Sequence, residues 1–226
     1  MVAPIIETQF ILEHEMRGKR LGRHVRHDPR SWNFPAPMAS EVVSVRHKRA
    51  VPIFNQGSLG SCTGNAAVGC LSTAPYKHKG KESDAVATYK LATKLDRIHG
   101  TYPPDDTGSS GLAAMKALKQ MGWIESYTHG FGLINTLRAL VLRPGITGIG
   151  WRAGCDSPDR DGVVRYTGSV RGGHELELVG LDAERKLVWF ANSWGATWGK
   201  KGYFAMSFAD YGLALADHGD ATFPVP

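Results

Sequence analysis

Apolar residues recur at helical spacing in the first half of the chain and follow a strand-like pattern in the second half. The spacing predicts helices over residues 61–74, 85–99, 111–122 and 133–142. Short stretches rich in β-branched or aromatic residues predict strands over residues 146–151, 162–168, 174–182, 186–192 and 202–208. Helices followed by strands are typical of an α+β fold, here with two halves facing each other across a cleft.

Residues 1–40 differ in composition from the rest of the chain, being rich in charged residues, histidine and proline. We expect them to form a basic arm or strap lying on a domain of residues 41–226. Prolines 35 and 37 exclude a regular element there, and Trp32 and Phe34 are candidate anchors to the domain. Within the domain, residues 55–140 would form a left lobe and residues 145–220 a right lobe.

Composition narrows the class of protein. The 226 residues are 42% hydrophobic and 21% charged, which suits one large domain or two lobes and excludes disorder as the whole answer. No apolar run reaches the length of a membrane-spanning helix, and three cysteines are too few for a disulfide scaffold.

Charge and the first residues bear on partners and location. The net charge is +6, and the first 50 residues hold nine Lys or Arg against five Asp or Glu. A solvated basic extension explains this better than a nucleic-acid surface. The N-terminal residues lack the basic region followed by an apolar core that is typical of a secretory signal peptide. These features favour the cytoplasm or a phage particle or lysate over secretion.

Cys62 is a candidate nucleophile because it lies at the start of a predicted helix. Unpaired amides and the helix dipole there favour a thiolate. Cys70 is two turns further along the same helix and is expected to be buried, and Cys155 is in a loop beside acidic residues that oppose a thiolate. The alternative for Cys62 taken alone is a packed small residue.

A thiolate nucleophile needs a base, and the base needs an orienting group. His174 begins one predicted strand and Asn192 ends the next, 18 residues later. A turn near residues 183–185 would bring both to the same end of an antiparallel hairpin, where Asn192 can accept from the imidazole. Gln56, six residues before Cys62, offers a side-chain amide that could stabilise an oxyanion.

Three segments together resemble the papain-like cysteine peptidases. They are N-Q-G-S-L-G-S-C at residues 55–62, Gly-His at 173–174, and N-S-W-G-A-T-W-G at 192–199. Six of eight positions of N-S-W-G-x-x-W-G are met, and the order Gln, Cys, His, Asn matches the family. The resemblance covers about residues 40–210. It implies a helical left lobe, an antiparallel β-barrel-like right lobe and a cleft between them, as in a compact bacterial or phage member.

The resemblance also implies catalytic roles. Cys62 would be the nucleophile, His174 the base and acid, Asn192 the group that orients the imidazole, and Gln56 the oxyanion donor. Trp194 resembles the indole that shields the Asn–His hydrogen bond from water. In the family the Cys–His pair rests as thiolate and imidazolium, and papain itself is a well-known case of such a lowered thiol pKa.

Substrate-binding roles are implied with a poorer match. Gly108 and Ser109 fall where the family has a Gly-Gly pair that binds substrate backbone as an extended strand. Gly173, Glu175 and Trp194 would line the substrate cleft. We expect Glu175 to bias a specificity pocket toward basic side chains; the alternative is a strand residue that faces elsewhere.

The function implied is a thiol peptidase acting on polypeptides, with no metal, other cofactor, specific nucleic acid or membrane as partner. One alternative is a hydrolase of cell-wall peptides. Another is a structural or assembly protein, for example of a phage virion, that uses a papain-like fold. Three roles stay open for the arm: it inhibits the site, docks onto a protein partner, or is cleaved.

Overall fold

The left lobe is a group of three helices. The computed structural model describes residues 19–226, and its first three α-helices are α1 (Cys62–Leu71), α2 (Glu82–Leu95) and α3 (Gly111–Gln120). Every residue of α1 is buried, which fits its small apolar composition on all faces. A side chain at Gly64 would overlap the backbone of α2, so this glycine permits the close packing of the two helices.

The right lobe is built on one antiparallel sheet. Its strands are β1 (Val45–Arg46), β2 (Ser126–His129), β3 (Gly145–Arg152), β4 (Val170–Asp182), β5 (Leu187–Ala191), β6 (Tyr203–Ser207) and β7 (Asp220–Val225). The order is β2-β7-β3-β4-β5-β6, and β1 pairs with β4. Helices α4 (Gly132–Leu142) and α5 (Phe208–Ala216) complete the lobe. Its core is strongly aromatic, including Trp151, Phe190, Phe204, Tyr211 and Phe223.

Strand β4 is central to the molecule. It pairs with β3 on one side and β5 on the other, and ten of its 13 residues are buried without the alternation of a half-exposed strand. Helices α1 and α4 both pack against it. The α+β prediction is confirmed, as are the helices and most of the strands, to within a few residues at their ends.

The prediction of a strand over residues 162–168 is wrong. This segment is a loop that makes one isolated bridge, from Val163 to Ala205. Gly162 and Gly168 both have positive φ, +85° and +83°, so the backbone turns at each end instead of continuing a strand. The sequence reading also missed β1, β2, β7 and α5, all short. Among the described residues, no helix has the length and apolar character to cross a membrane.

The arm follows the surface of both lobes. From Arg23 to His24 its backbone bonds to Gly173 and Ser109, and further along Ala36 N donates to His129 O at 2.8 Å. Trp32 stacks on Phe131 with ring centroids 4.1 Å apart, yet Trp32 and Phe34 stay 68% and 58% exposed. These candidate anchors thus contact the domain at its surface, and the buried residues in the described part of the arm are Gly22, Arg23, Val25 and Ala36. Residues 1–18 of the predicted arm lie outside the described residues.

A buried ion pair joins the lobes. Arg49 pairs with Glu177 of β4, which also accepts from the hydroxyl of Thr73 just after α1. The side chains of Arg49 and Glu177 are only 5% and 1% exposed. Removing one partner of such a pair leaves an uncompensated buried charge.

We expect Arg49→Ala to lower the free energy of unfolding by about 3–5 kcal/mol, because Glu177 loses its counter-ion in the interior. Urea denaturation followed by circular dichroism measures this. The matched control is Arg30→Ala, which breaks the pair between the exposed Arg30 side chain and Asp28 and should leave the free energy of unfolding almost unchanged. Equal losses in the two variants would contradict the assignment.

Candidate active site

The thiol of Cys62 lies at the first residue of α1. The side chain of the preceding residue, Ser61, makes no capping hydrogen bond to the backbone amides of the first turn. Cys62 is fully buried, and its nearest polar groups are the backbone at Glu175, Gly22 and Thr63. Two of those three come from outside the helix, one from β4 and one from the arm.

The imidazole of His174 is oriented by Asn192. His174 Nε2 is 2.8 Å from Asn192 Oδ1, which also accepts from Ser193 N at 2.8 Å. An amide oxygen can only accept, so Nε2 must carry the proton and Nδ1 the lone pair. Within residues 19–226, Nδ1 of His174 has no hydrogen-bond partner. The ring therefore presents a free base nitrogen.

Indole rings enclose this hydrogen bond. Trp194 stacks on His174 with ring centroids 4.8 Å apart, and Trp151 meets the imidazole edge-on at 5.1 Å. Both indoles are buried, and Lys19 Nζ lies 4.9 Å from the centre of the Trp194 ring. The aromatic wall excludes water from the His174–Asn192 pair.

The side-chain amide of Gln56 is oriented by hydrogen bonds to Ser193. Ser193 Oγ donates to Gln56 Oε1 at 2.6 Å, and the Gln56 backbone N–H donates to Ser193 O at 2.8 Å. With its oxygen occupied, Gln56 directs Nε2 into the cleft, where it donates to the carbonyl of Arg20 at 2.9 Å and of Leu59 at 2.8 Å. A peptide carbonyl thus already occupies this donor, and it belongs to the arm.

The arm lies along the whole cleft. Ser109 N donates to Gly22 O at 2.8 Å and His24 N to Ser109 O at 2.7 Å, which makes a parallel bridge between Arg23 and Ser109. Arg23 N donates to Gly173 O at 3.0 Å. Gly108 and Ser109, predicted to bind substrate backbone, and Gly173, predicted to line the substrate cleft, are therefore in contact with the backbone of the arm.

Asp106 anchors the start of the arm. Arg20 Nη1 is 3.1 Å from Asp106 Oδ2, and the same carboxylate accepts from Gly60 N at 2.9 Å and from the Tyr89 hydroxyl at 2.5 Å. The group that holds the arm thus also holds the loop before Cys62.

Burial shifts the pKa values of both Cys62 and His174 toward their neutral forms. Burial raises the pKa of Cys62 to about 12, and the backbone hydrogen bonds at Glu175, Gly22 and Thr63 only partly oppose it. Burial lowers the pKa of His174 to about 4, against the opposing effect of its bond to Asn192. The covered site therefore holds a neutral thiol and a neutral imidazole, which differs from the ion pair expected at the sequence level.

Glu175 lies inside the molecule beside the arm. Its carboxyl faces Gly111, where a Cβ would come within 2.6 Å of Oε1, and neither oxygen has a hydrogen-bond partner among the described residues. Burial and the nearby Asp220 raise the pKa of Glu175 well above its ordinary range, while Arg23 opposes the rise. Burial thus shifts Glu175 toward its protonated form.

Several residues of the site escaped the sequence reading. Ser193 belongs to the N-S-W-G segment, and its hydroxyl beside Asn192 was a usable signal for a residue that positions another. Asp106 and Asp220 belong to no motif and lie far along the chain from the arm residues they bind. Only the folded chain brings these pairs together. Residues 19–226 contain no group of three or more His, Cys, Asp or Glu side chains able to hold a metal ion.

Comparison with known sequences gives local matches. Residues 157–216 match the sequence model of the papain family cysteine proteases. A cathepsin B-like cysteine proteinase of Schistosoma japonicum is 40% identical over 50 residues, 21% of this chain. The match spans 15% of the length of that curated relative.

Comparison with solved structures covers nearly the whole chain. Xylellain, a cysteine protease from Xylella fastidiosa, matches with a TM-score of 0.67 at 16% identity, over 92% of this chain and 97% of that one. Digestive procathepsin L2 from the larval midgut of Tenebrio molitor matches with a TM-score of 0.64 at 18% identity, over 96% and 81%. At these identities the likeness is one of fold.

We expect the His174 imidazole to titrate near pH 4 and to stay neutral at pH 6, because burial disfavours its charged form. An ordinary histidine titrates near 6.5. The depressed pKa also means that His174 contributes stability above pH 6.5 that is lost as the pH falls toward 4. NMR titration, with the signal assigned by its loss in His174→Gln, measures the pKa; a value at or above 6.5 would show that the ion pair exists under the arm.

Proposed function

We propose that this chain is a papain-like cysteine peptidase that hydrolyses peptide bonds with Cys62 as nucleophile and is held latent by its own N-terminal arm. The observation that carries the proposal is the 2.8 Å bond from His174 Nε2 to Asn192 Oδ1, which leaves a free base nitrogen in the cleft. The orientation of the Gln56 amide by Ser193 also supports the proposal.

The chemistry follows from these atoms. The Cys62 thiol gives its proton to His174 Nδ1, and the sulfur attacks the substrate carbonyl carbon. The carbonyl oxygen gains the negative charge and accepts from Gln56 Nε2. His174 then protonates the departing amine, the C–N bond breaks, and a thioester remains. Water, deprotonated by His174, attacks the thioester, and the C–S bond breaks to release the acid and restore the thiol.

The arm is incompatible with this cycle. Cys62 and His174 are both 0% exposed, and the arm backbone occupies the hydrogen-bonding groups of Ser109, Gly173 and Gln56. A substrate needs those same groups. Because the arm is tethered, its effective concentration at the cleft reaches the millimolar range for short linkers, and free substrate competes poorly.

Substitution of Gly22 offers a way to displace the arm without replacing any of the catalytic candidates. A Cβ at residue 22 would overlap the backbone of Gly60, which is part of the loop before Cys62. We expect Gly22→Ala to raise both the alkylation rate of Cys62 at pH 6 and the hydrolysis of denatured casein, each by at least about tenfold, since removing the arm lets water and substrate reach the thiol.

Asn33→Ala is the matched control, because Asn33 is an exposed residue of the same arm; it should behave as the unmodified chain. Cys62→Ser added to Gly22→Ala should abolish both signals. A Gly22→Ala protein that folds but shows no faster labelling would contradict latency.

The same measurements distinguish the alternative functions. Labelling of Cys62 without release of peptides would contradict the peptidase function and favour an assembly role. Activity on purified cell wall but not on casein would favour the alternative of a hydrolase of cell-wall peptides.

A further inference from the structure

The carboxylate of Asp106 joins two loops that border the cleft. It accepts from Gly60 N, in the loop before Cys62, at 2.9 Å and from the Tyr89 hydroxyl at 2.5 Å. The Tyr89 oxygen in turn accepts from Gly108 N at 2.9 Å. We call these four groups, the carboxylate, the hydroxyl and the two backbone N–H groups, the Asp106 network. It ties the loop before Cys62 to the loop that contains Gly108.

The hydrogen bond from Gly60 to Asp106 attaches the loop before Cys62 to the left lobe. Gly57 N and Leu59 N instead bond to the two residues that come just before Gly57, so their hydrogen bonds stay within the same turn. A Cβ at Gly60 would come within 3.0 Å of Asp106 Oδ1, so the loop backbone and the carboxylate are in close contact. All three cysteines are free, and no disulfide fixes this loop.

The Tyr89 hydroxyl has a fixed direction of hydrogen bonding. Tyr89 lies on α2 and is fully buried, and burial together with the hydrogen bond to Asp106 raises the pKa of its hydroxyl above the ordinary range. The hydroxyl therefore keeps its proton at neutral pH and donates it to Asp106, which leaves its lone pairs for Gly108 N. Each member of the Asp106 network thus has its partner, and such a satisfied buried network is rigid.

The loop held by Asp106 lies between two donors that can stabilise an oxyanion. Gln56 precedes the loop, and Cys62 follows Gly60 by two residues. The backbone N–H of Cys62 is the first in α1, so it has no acceptor within the helix. The Cys62 N–H and Gln56 Nε2 can face one substrate oxygen only if the loop between them keeps its shape. A misplacement of about 1 Å in such a site can cost about 100-fold in rate.

We propose that Asp106 is a positioning residue for the reaction. Through Gly60 N it holds the loop between the two oxyanion donors, and through Tyr89 it keeps that loop in a fixed place relative to the Gly108 loop. The proposal rests on the proposed peptidase function. Because Asp106 acts on backbone groups that position the oxyanion donors, its removal should slow a reaction that forms an oxyanion and spare a reaction of the thiol that forms none.

Arg20 of the arm binds the same carboxylate from outside. Arg20 Nη1 lies 3.1 Å from Asp106 Oδ2, and Nη2 donates to the Asp106 carbonyl at 2.6 Å. The Arg20 side chain is 43% exposed, whereas that of Asp106 is 16% exposed. Displacing the arm removes this cation but leaves Gly60 N and the Tyr89 hydroxyl as donors to Asp106. The Asp106 network therefore does not need the arm.

The first test compares two reactions of Cys62 in the Gly22→Ala protein. Hydrolysis of a fluorogenic leucine peptide passes through an oxyanion, whereas alkylation by iodoacetamide displaces iodide from carbon and forms none. We expect added Asp106→Ala to lower kcat by at least about tenfold, with a smaller change in KM and an alkylation rate within about twofold. Asp105→Ala replaces the exposed neighbouring acid and, as the matched control, should change neither reaction.

Two conservative variants separate positioning from support of the fold. Asp106→Asn keeps an acceptor for Gly60 N and should restore part of the kcat that Asp106→Ala loses. Tyr89→Phe keeps the bond from Gly60 to Asp106 but leaves Gly108 N without its acceptor, so it should raise KM more than it lowers kcat. If Asp106→Ala does not fold, the comparison of hydrolysis with alkylation is made with Asp106→Asn.

The outcomes separate this proposal from the proposed function. An unchanged kcat in a folded Asp106→Ala protein would overturn the positioning role and leave the peptidase intact. Equal losses in hydrolysis and alkylation would show that Asp106 only supports the fold, and would also overturn it.

A peptide aldehyde tests the oxyanion geometry without hydrolysis. The Cys62 sulfur adds to the aldehyde carbon of acetyl-leucyl-leucyl-norleucinal, the carbonyl double bond becomes a single bond, and its oxygen takes up the thiol proton. Its affinity is measured by how well it protects Cys62 of the Gly22→Ala protein from iodoacetamide. We expect Asp106→Ala to weaken binding by at least about tenfold and Asp105→Ala to leave it unchanged.

The aldehyde decides the role of Asp106 even if no peptide is cleaved. Binding that depends on Asp106 in a protein that cleaves no peptide would support the positioning role and contradict the peptidase. Equal aldehyde affinity with and without Asp106→Ala would overturn the positioning role alone. No protection of Cys62 in the Gly22→Ala protein would overturn both proposals.

Discussion

The pairing of β4 between β3 and β5 is the constraint on which the rest of the structure depends. It places His174 in a strand buried on both faces and sets Asn192 at the end of β5, where Glu177 pairs with Ala191. A slip of one residue would turn His174 to the opposite face of the sheet and break its bond to Asn192. Helix α1 packs on the same strand, so one element positions both Cys62 and His174.

The second determinant is exclusion of water. A charge at a helix N-terminus gains about 0.3–1 kcal/mol from the dipole. The change in the pKa of Cys62 from 9.0 to about 12 corresponds to about 4 kcal/mol in the opposite direction. Burial therefore outweighs the helix dipole and favours the neutral thiol. The latency that we propose would then have an electrostatic part in addition to the blocked path to the thiol.

Sequence reasoning succeeded where the signal is local. The positions of α3 and α4 were predicted closely because each buries an apolar face along its length, and that of α1 because its small residues suit a helix buried on all sides. It failed for β7, a short strand interrupted by Pro224, and for residues 162–168, where two glycines bend an otherwise strand-like composition. Nothing in the sequence indicated the most buried contact of the arm: Trp32 stacks on Phe131 at the surface, whereas the basic residue Arg23 is buried against the carboxylate of Asp220.

The sequence by itself determined the chemical parts and their order: Gln56, Cys62, His174 and Asn192 stand in recognisable segments, and a hairpin spacing of 18 residues links the last two. Only the tertiary structure decided the state of those parts and what surrounds them. Arg23, Glu175 and Asp220 come from the arm, β4 and β7, and no periodicity relates such distant positions. Burial and charge are properties of the assembled fold, so the closed cleft and the neutral forms of Cys62 and His174 appear only once the chain is folded.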